Sequence, residues 1–168
     1  MSIAPIEVRL GQALAARGLT IAVAESCTGG LVGHLLTNAP GSSAYFLGGI
    51  IAYSYDAKER LLNVQHNTLY DHGAVSEQTA LEMAQGVRRA LGSDIGISVT
   101  GIAGPGGGLP DKPVGLTWIG LSVRDEDAAR QFVWNSDREG NKAQSAVAAL
   151  TLALDYVDKA RTGASGGS

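Results

Sequence analysis

Residues 20–31 read TIAVAESCTGGL, and the fold turns on them. Thr20 to Ala24 is a short apolar run of β type without polar alternation, as expected for a strand covered on both faces. It leads directly into Glu25-Ser26-Cys27-Thr28-Gly29-Gly30, and a helix is predicted from about Gly30 to Thr37. This order places a small hydroxyl at the C-terminal end of a strand, where open α/β sheets bind ligands. The glycines let backbone N–H groups turn toward one point, and the start of a helix adds partial positive charge there. Donors of this kind around Thr28, Gly29 and Gly30 suit a phosphate, or the oxyanion formed when Ser26 attacks a carbonyl. The pattern is neither the Walker loop nor the dinucleotide fingerprint. In a purely structural role, Ser26 would do no more than cap the helix.

Outward from this stretch, the chain alternates. Ile6, Leu10, Ala13, Leu14 and Arg17 recur at helical spacing, and Gly18 ends that helix. Gly48 to Ser54 reads as a second strand, followed by a short helix capped by Asp56 and carrying Lys58, Leu61 and Leu62. Ser76 caps a helix over Glu77 to Leu91, and Ile95 to Thr100 is a third strand. A Gly/Pro-rich loop, Gly101 to Pro113, precedes a predicted hairpin of Val114–Val123 and Arg130–Trp134. A long Ala/Leu helix over about Glu139 to Ala160 follows. The expected fold is a three-layer α/β/α sandwich with a mixed, mainly parallel sheet. One domain is expected over residues 1–161, with a flexible tail at 162–168.

Composition narrows the function classes. The 168 residues carry 13 Lys+Arg against 16 Asp+Glu, a net charge of −3. A mildly acidic chain without a basic run lacks the electrostatic footprint of a nucleic-acid or anionic-membrane binder. One cysteine makes no intrachain disulfide, which favours a reducing compartment, and Glu7 and Arg9 interrupt any apolar leader. The expected location is cytoplasmic. With 23 glycines among strong aliphatic segments, the chain should hold many tight turns and close backbone approaches. From Ser26 through Tyr55 there is no Asp, Glu, Lys or Arg, and Ile95 to Pro110 is likewise uncharged. Two such runs suggest the buried walls of a cleft; a core strand followed by a loop would give the same composition.

Several side chains compete for chemistry. Cys27 would be activated near a helix N-terminus, yet His34, His66 and His72 form no cysteine-hydrolase signature with it, and a buried Cys is often only a small apolar residue. One Cys and three scattered His give no zinc-ligand spacing. Lys58 lies in the first turn of its helix, where the dipole disfavours a cation, and desolvation in a cleft would free its amine as a general base. A Ser with a neutral Lys is a hydrolytic pairing that needs no histidine. On the plainer reading, Lys58 is a solvated lysine beside Glu59 and Arg60. Thr100 and Gly101 open the Gly-rich loop at the same sheet edge as Ser26. Arg138, before the last helix, is the best-placed fixed cation for a phosphate.

Taken in order, AESCTGG (24–30), GSSAYF (41–46), GGIIAYS with AK (48–58), HGAVSE (72–77), TGIAGPGGG (100–108), PDKPVG (110–115) and DRE (137–139) resemble the CinA C-terminal domain family, the nicotinamide-nucleotide amidases. The resemblance runs from about residue 6 to 157. It implies an α/β/α sandwich that assembles into homo-oligomers and deamidates nicotinamide mononucleotide to nicotinic acid mononucleotide and ammonia, without metal or other cofactor. By motif position it makes Ser26 the nucleophile and Lys58 its base, with Tyr53 orienting or protonating. Thr100 and the Gly101 backbone would line the substrate site, and Arg138 would face the phosphate. Two departures stand out: Lys142 where a second arginine is common, and Tyr55 where a small polar residue is usual. The rival expectations are a nucleotide-binding or regulatory module that hydrolyses nothing, and an interaction protein of DNA-uptake or damage-response assemblies.

Overall fold

The computed structural model describes residues 2–163. In chain order the elements are α1 (Ile6–Arg17), β1 (Ile21–Glu25), α2 (Leu31–Asn38), a 3-10 turn (Ser42–Ala44), β2 (Phe46–Ile51), α3 (Tyr55–Leu62), α4 (His66–His72), α5 (Glu77–Leu91), β3 (Ile95–Gly101), β4 (Leu116–Ser122), β5 (Asp127–Val133) and α6 (Arg138–Gly163). The strands form one sheet in the order β2-β1-β3-β4-β5. β1 pairs parallel with β2 and β3, while β4 is antiparallel to both β3 and β5, so only β4 runs against the rest.

Both faces of the sheet are covered, which is why β1 and all of β3 but its last residue are buried without alternation. On one face Ile21, Val23, Ile97, Val99 and Ile119 pack with Leu10 and Leu14 of α1, Val32 and Leu36 of α2, and Leu150 and Ala153 of α6. On the other, Ala22 and Ala24 meet Leu62 of α3, Leu69 of α4, and Met83 and Val87 of α5. This is the α/β/α sandwich with a mixed sheet expected from the sequence. No described helix is long and apolar enough to cross a membrane.

The elements depart from expectation in five places. β5 starts at Asp127, three residues ahead of the strand predicted at Arg130–Trp134, because the Val123 amide donates to the Glu126 carbonyl and closes a tight turn from which pairing begins at once. β2 begins at Phe46 and ends at Ile51, because Ala52 and Tyr53 turn their carbonyls away from the ladder toward a buried lysine. The cap of α3 is Ser54, whose hydroxyl accepts from the Ala57 amide, and not Asp56. Asp56 sits in the first turn, where a carboxylate complements the dipole, and pairs with Arg60 one turn on at 2.9 Å. The short α4 was not foreseen, since seven residues with a single fully buried side chain, Leu69, carry no readable periodicity. α6 continues to Gly163, two residues into the predicted tail; the remainder of that tail lies outside the described residues.

The charge-free run 26–55 is not simply a buried wall. Fourteen of its thirty residues are exposed, among them Leu47, Ile51, Tyr53 and Tyr55. The run wraps the β2 edge of the sheet, from α2 through β2 to the start of α3.

Candidate active site

β1, β2 and β3 end on the same side of the sheet, and the segments that leave them converge. Ser26 follows β1, with its amide bound to the Val99 carbonyl of β3 at 3.0 Å. Ala52 and Tyr53 follow β2, the Ala52 amide donating to the Glu25 carbonyl at 2.8 Å. α3 then returns Lys58 across that edge. Its Nζ lies 2.9 Å from Ser26 Oγ, 2.8 Å from the Ala52 carbonyl and 3.2 Å from the Tyr53 carbonyl.

Lys58 is 1% exposed and faces no carboxylate. Burial lowers its pKa from 10.5 to about 8. Its partners define what the neutral amine does. Two carbonyls can only accept, so they take both N–H bonds of an uncharged NH₂, leaving its lone pair for the proton of Ser26. That is the geometry of a general base on a serine hydroxyl. The plainer readings of both residues are thereby overturned: Lys58 is not solvated, and Ser26 does not cap α2, whose N-cap is Gly30 without a side-chain bond.

Cys27, next to the nucleophile position, is also buried. Burial raises its thiol from 9.0 to about 11, against the smaller pull of its own backbone amide and of Lys58. It stays protonated at neutral pH and is no rival nucleophile.

The helix start after the Thr-Gly-Gly turn has an occupant that the sequence did not announce. Glu25, 2% exposed at the end of β1, accepts from the amides of Gly30 (3.2 Å), Val32 (2.9 Å) and Gly33 (3.0 Å). The Gly29 amide is bound to the Ser26 carbonyl at 3.1 Å. Gly29 and Gly30 were expected to offer their amides to substrate; instead they hold the turn that presents Ser26. A lone carboxylate ending an apolar strand just before such a turn is the signal that would have found Glu25. The amides of Cys27 and Thr28 carry no backbone or side-chain acceptor from another residue among the described residues. Thr28 Oγ1 is the one buried side-chain polar atom without a partner among them.

A cavity of about 270 Å³ opens onto this pair, near the lower end of the ~300–1,000 Å³ usual for ligand sites. Ser26, Cys27, Tyr53, Lys58, Thr100, Gly101 and Arg138 all line it, with the Gly-rich loop from Ile102 to Gly107 as one wall. Thr28, Gly29 and Gly30 do not. Thr100 spends its proton on the Ala74 carbonyl at 2.7 Å, so toward a ligand it can only accept. Tyr53 stands at the rim, 64% exposed, its phenol 3.4 Å from Arg138 Nη2. Arg138 opens α6 and also donates to the Gly104 carbonyl at 2.6 Å. One turn further on, Lys142 brings its Nζ to the same turn: a Cβ on Gly29 would lie 4.0 Å from it. Neither cation has a carboxylate partner among the described residues. Tyr55 packs edge-on against Tyr70, with ring centroids 5.3 Å apart, and makes no bond to the amine. A larger groove of about 530 Å³ between β5 and α6, floored by Phe132 and Trp134, holds no nucleophile or buried base.

Known proteins resemble this chain in sequence and in fold. Residues 3–157 match the CinA C-terminal domain model. The chain belongs to the CinA C-terminal domain family. A CinA-like protein from Salinibacter ruber is 53% identical over 145 residues, covering 86% of this chain and 35% of that protein. Another from Chloroherpeton thalassium is 50% identical over 158 residues, covering 92% and 38%. The chain thus spans about a third of the length of these curated relatives. Among solved structures, a CinA superfamily protein from Klebsiella pneumoniae superposes with a TM-score of 0.89 at 32% identity, over 92% of this chain and 96% of that one. The competence/damage inducible protein CihA from Agrobacterium tumefaciens gives 0.84 at 36% identity, over 94% and 99%.

Proposed function

We propose that this CinA-family domain is an amidohydrolase that deamidates nicotinamide mononucleotide to nicotinic acid mononucleotide and ammonia. The observation that carries the reading is the buried Lys58 amine 2.9 Å from the Ser26 hydroxyl, with both its other contacts taken by carbonyls. The neutral amine takes the Ser26 proton as Oγ attacks the carboxamide carbon. The tetrahedral oxygen is met by the amide of Cys27, which lines the cavity and carries no acceptor from another residue among the described residues. Protonated Lys58 then gives its proton to the departing nitrogen, ammonia leaves, and an ester on Ser26 remains. Water, deprotonated by the neutral amine, attacks that ester and releases the carboxylate and Ser26. The sum is amide plus water to acid plus ammonia.

The cavity takes the pyridine amide, and the ribose phosphate extends past Tyr53 toward Arg138 and Lys142. Arg138 lines the cavity and Lys142 follows it one turn along α6; neither has a carboxylate partner among the described residues, so both suit a phosphate, the Arg through its fork and the Lys as a point charge. Ammonia release from the mononucleotide tests the reading directly. Ser26→Ala and Lys58→Met should each lower kcat at least ~10³-fold, since each removes a partner of the nucleophile–base unit. Near-wild-type release by either would defeat the assignment. A wild-type protein that binds the nucleotide in calorimetry yet frees no ammonia would favour a regulatory binding module.

A further inference from the structure

The Gly-rich wall of the cavity is mostly backbone, and α6 ties it down. The tip of the loop, Pro105 to Gly108, is exposed, while Ala103 and Gly104 are buried. Two side chains of α6 bind the carbonyls of that buried pair. Arg138 Nη1 donates to Gly104 at 2.6 Å, and Asn141 Nδ2 donates to Ala103 at 3.0 Å. Residues three apart share a helix face, so both ties leave the same side of α6. Arg138 has a second duty, because a phosphate competes with Gly104 for its guanidinium. Asn141 has none: it is 3% exposed and does not line the cavity. Its side-chain amide is used at both ends. Nδ2, a donor only, meets the Ala103 carbonyl, and Oδ1, an acceptor only, meets the Ser136 amide at 3.0 Å. The backbone of Asn141 is fixed as well, its amide donating to the Asp137 carbonyl at 2.9 Å and its carbonyl accepting from Ser145 Oγ at 2.7 Å. Ser145 Oγ in turn accepts from Trp134 Nε1 at 2.9 Å and lies 3.3 Å from Thr117 Oγ1 of β4.

We propose that Asn141 is a positioning residue, which keeps the Gly-rich wall in register with α6 while Arg138 engages the phosphate of the substrate. The role in turnover rests on the amidase reading above; the tie itself does not. A guanidinium that turns its fork to a phosphate gives up the Gly104 carbonyl, so one of the two ties is lost on binding. The other touches no ligand and persists. Its chemistry calls for a short primary amide. Aspartate offers no donor to Ala103, and leucine satisfies neither neighbour. Without the second tie, the wall would drift from Ser26 just as the phosphate is taken up, and the substrate would be held less tightly.

Two variants separate positioning from folding. Asn141→Asp keeps an acceptor for Ser136 and takes the donor from Ala103, whereas Asn141→Leu removes both. Asn141 is the fourth residue of α6, where the dipole offsets part of the cost of a buried carboxylate, so Asn141→Asp carries the test should Asn141→Leu not fold. In each, KM for the mononucleotide should rise about tenfold, as for a buried carbonyl left without its donor, with kcat within about threefold of the wild type. The split follows because the contacts that join Lys58 to Ser26 are made by β1, β2 and α3 and their ends, without Asn141. A residue that served folding alone would lower the active fraction, and so kcat at unchanged KM. Hydrogen exchange reads the wall without any reaction. The Ile102 and Gly115 amides close the loop at its base, at 2.9 and 2.7 Å from the Leu116 and Ile102 carbonyls. They should exchange at least about fivefold faster in both variants, and the Ser136 amide in Asn141→Leu alone. Unchanged exchange at Ile102 and Gly115, or a fall in kcat with KM constant, overturns the proposal. A wild type that frees no ammonia removes the amidase reading and not the tie; exchange then decides alone whether Asn141 holds the wall.

Discussion

Lys58 is held where a charged ammonium is poorly served: buried, with neutral oxygens as its only partners. The amine acts only when unprotonated, so its lowered pKa of about 8 sets the pH dependence. Below that value kcat/KM for ammonia release should climb about tenfold per pH unit, then level off above it, as expected for a single essential base. A profile flat from pH 6 to 9 would remove Lys58 as the base. Glu25 acts at one remove. Three amides converge on its carboxylate, and Glu25→Gln leaves one of them facing an NH₂. The loss should be about 2 kcal/mol in chemical denaturation. kcat should fall more than KM rises, because the Ser26 turn loosens while the cavity lining stays. Unchanged melting and kinetics would show that the carboxylate does not hold the turn. Ser26 and Lys58 were legible in the sequence because each follows a strand and enters a helix. Glu25 was not, because the partners of its carboxylate are backbone amides that no side-chain pattern records.

At the level of elements, the glycine content resolves into contact between α5 and its neighbours. A Cβ on Gly96 of β3 would overlap the Ala84 carbonyl, and one on Gly120 of β4 the Ala80 carbonyl, so α5 lies directly on the sheet. Ser98 Oγ donates to that same Ala80 carbonyl. Gly86 performs the same service on the outer side: a Cβ there would overlap the Leu62 carbonyl at the end of α3. Alanine is worth ~1 kcal/mol more than glycine inside a helix. Overpacking against backbone costs ~1–3 kcal/mol and cannot be relieved by a rotamer change. Gly86→Ala should therefore destabilise the protein and, by pushing α3 outward, lower kcat through Lys58. Denaturant titration with steady-state rates checks both; a more stable, fully active variant would mean α3 is free to shift. The strand–helix alternation and the caps at Ser76 and Gly92 were readable because local chemistry sets them. The end of β2 was not, since its last residues leave the ladder for a lysine six positions along the chain.

For the molecule as a whole, the base that serves the reaction works against folding at neutral pH. Lys58 is at 10.5 in an unfolded chain and about 8 in the folded one. Below pH 8 both states hold the proton, and the burial penalty is fully present. Between pH 8 and 10.5 the folded state releases it while the unfolded state keeps it, so stability rises with pH. The full span corresponds to roughly 3 kcal/mol, undiscounted because the group is buried. Cys27 works in the opposite sense. Its thiol is raised from 9.0 to about 11, so the folded state keeps a proton that the unfolded state loses above pH 9. The sum for the wild type is therefore blurred at alkaline pH, and the comparison with Lys58→Met separates the two. Methionine leaves the Ala52 and Tyr53 carbonyls without a donor, a cost that does not change with pH. The stability of the variant minus that of the wild type should hold constant from pH 6 to 7, then fall by roughly 3 kcal/mol as pH rises through 8 to 10.5. Urea titrations of both proteins at half-unit steps measure it, with pH 8 to 9 the cleanest interval because the unfolded thiol is at most half ionised there. A difference that stays level across that interval would mean the amine keeps its ordinary pKa inside the fold, and with it no free lone pair for Ser26 at neutral pH.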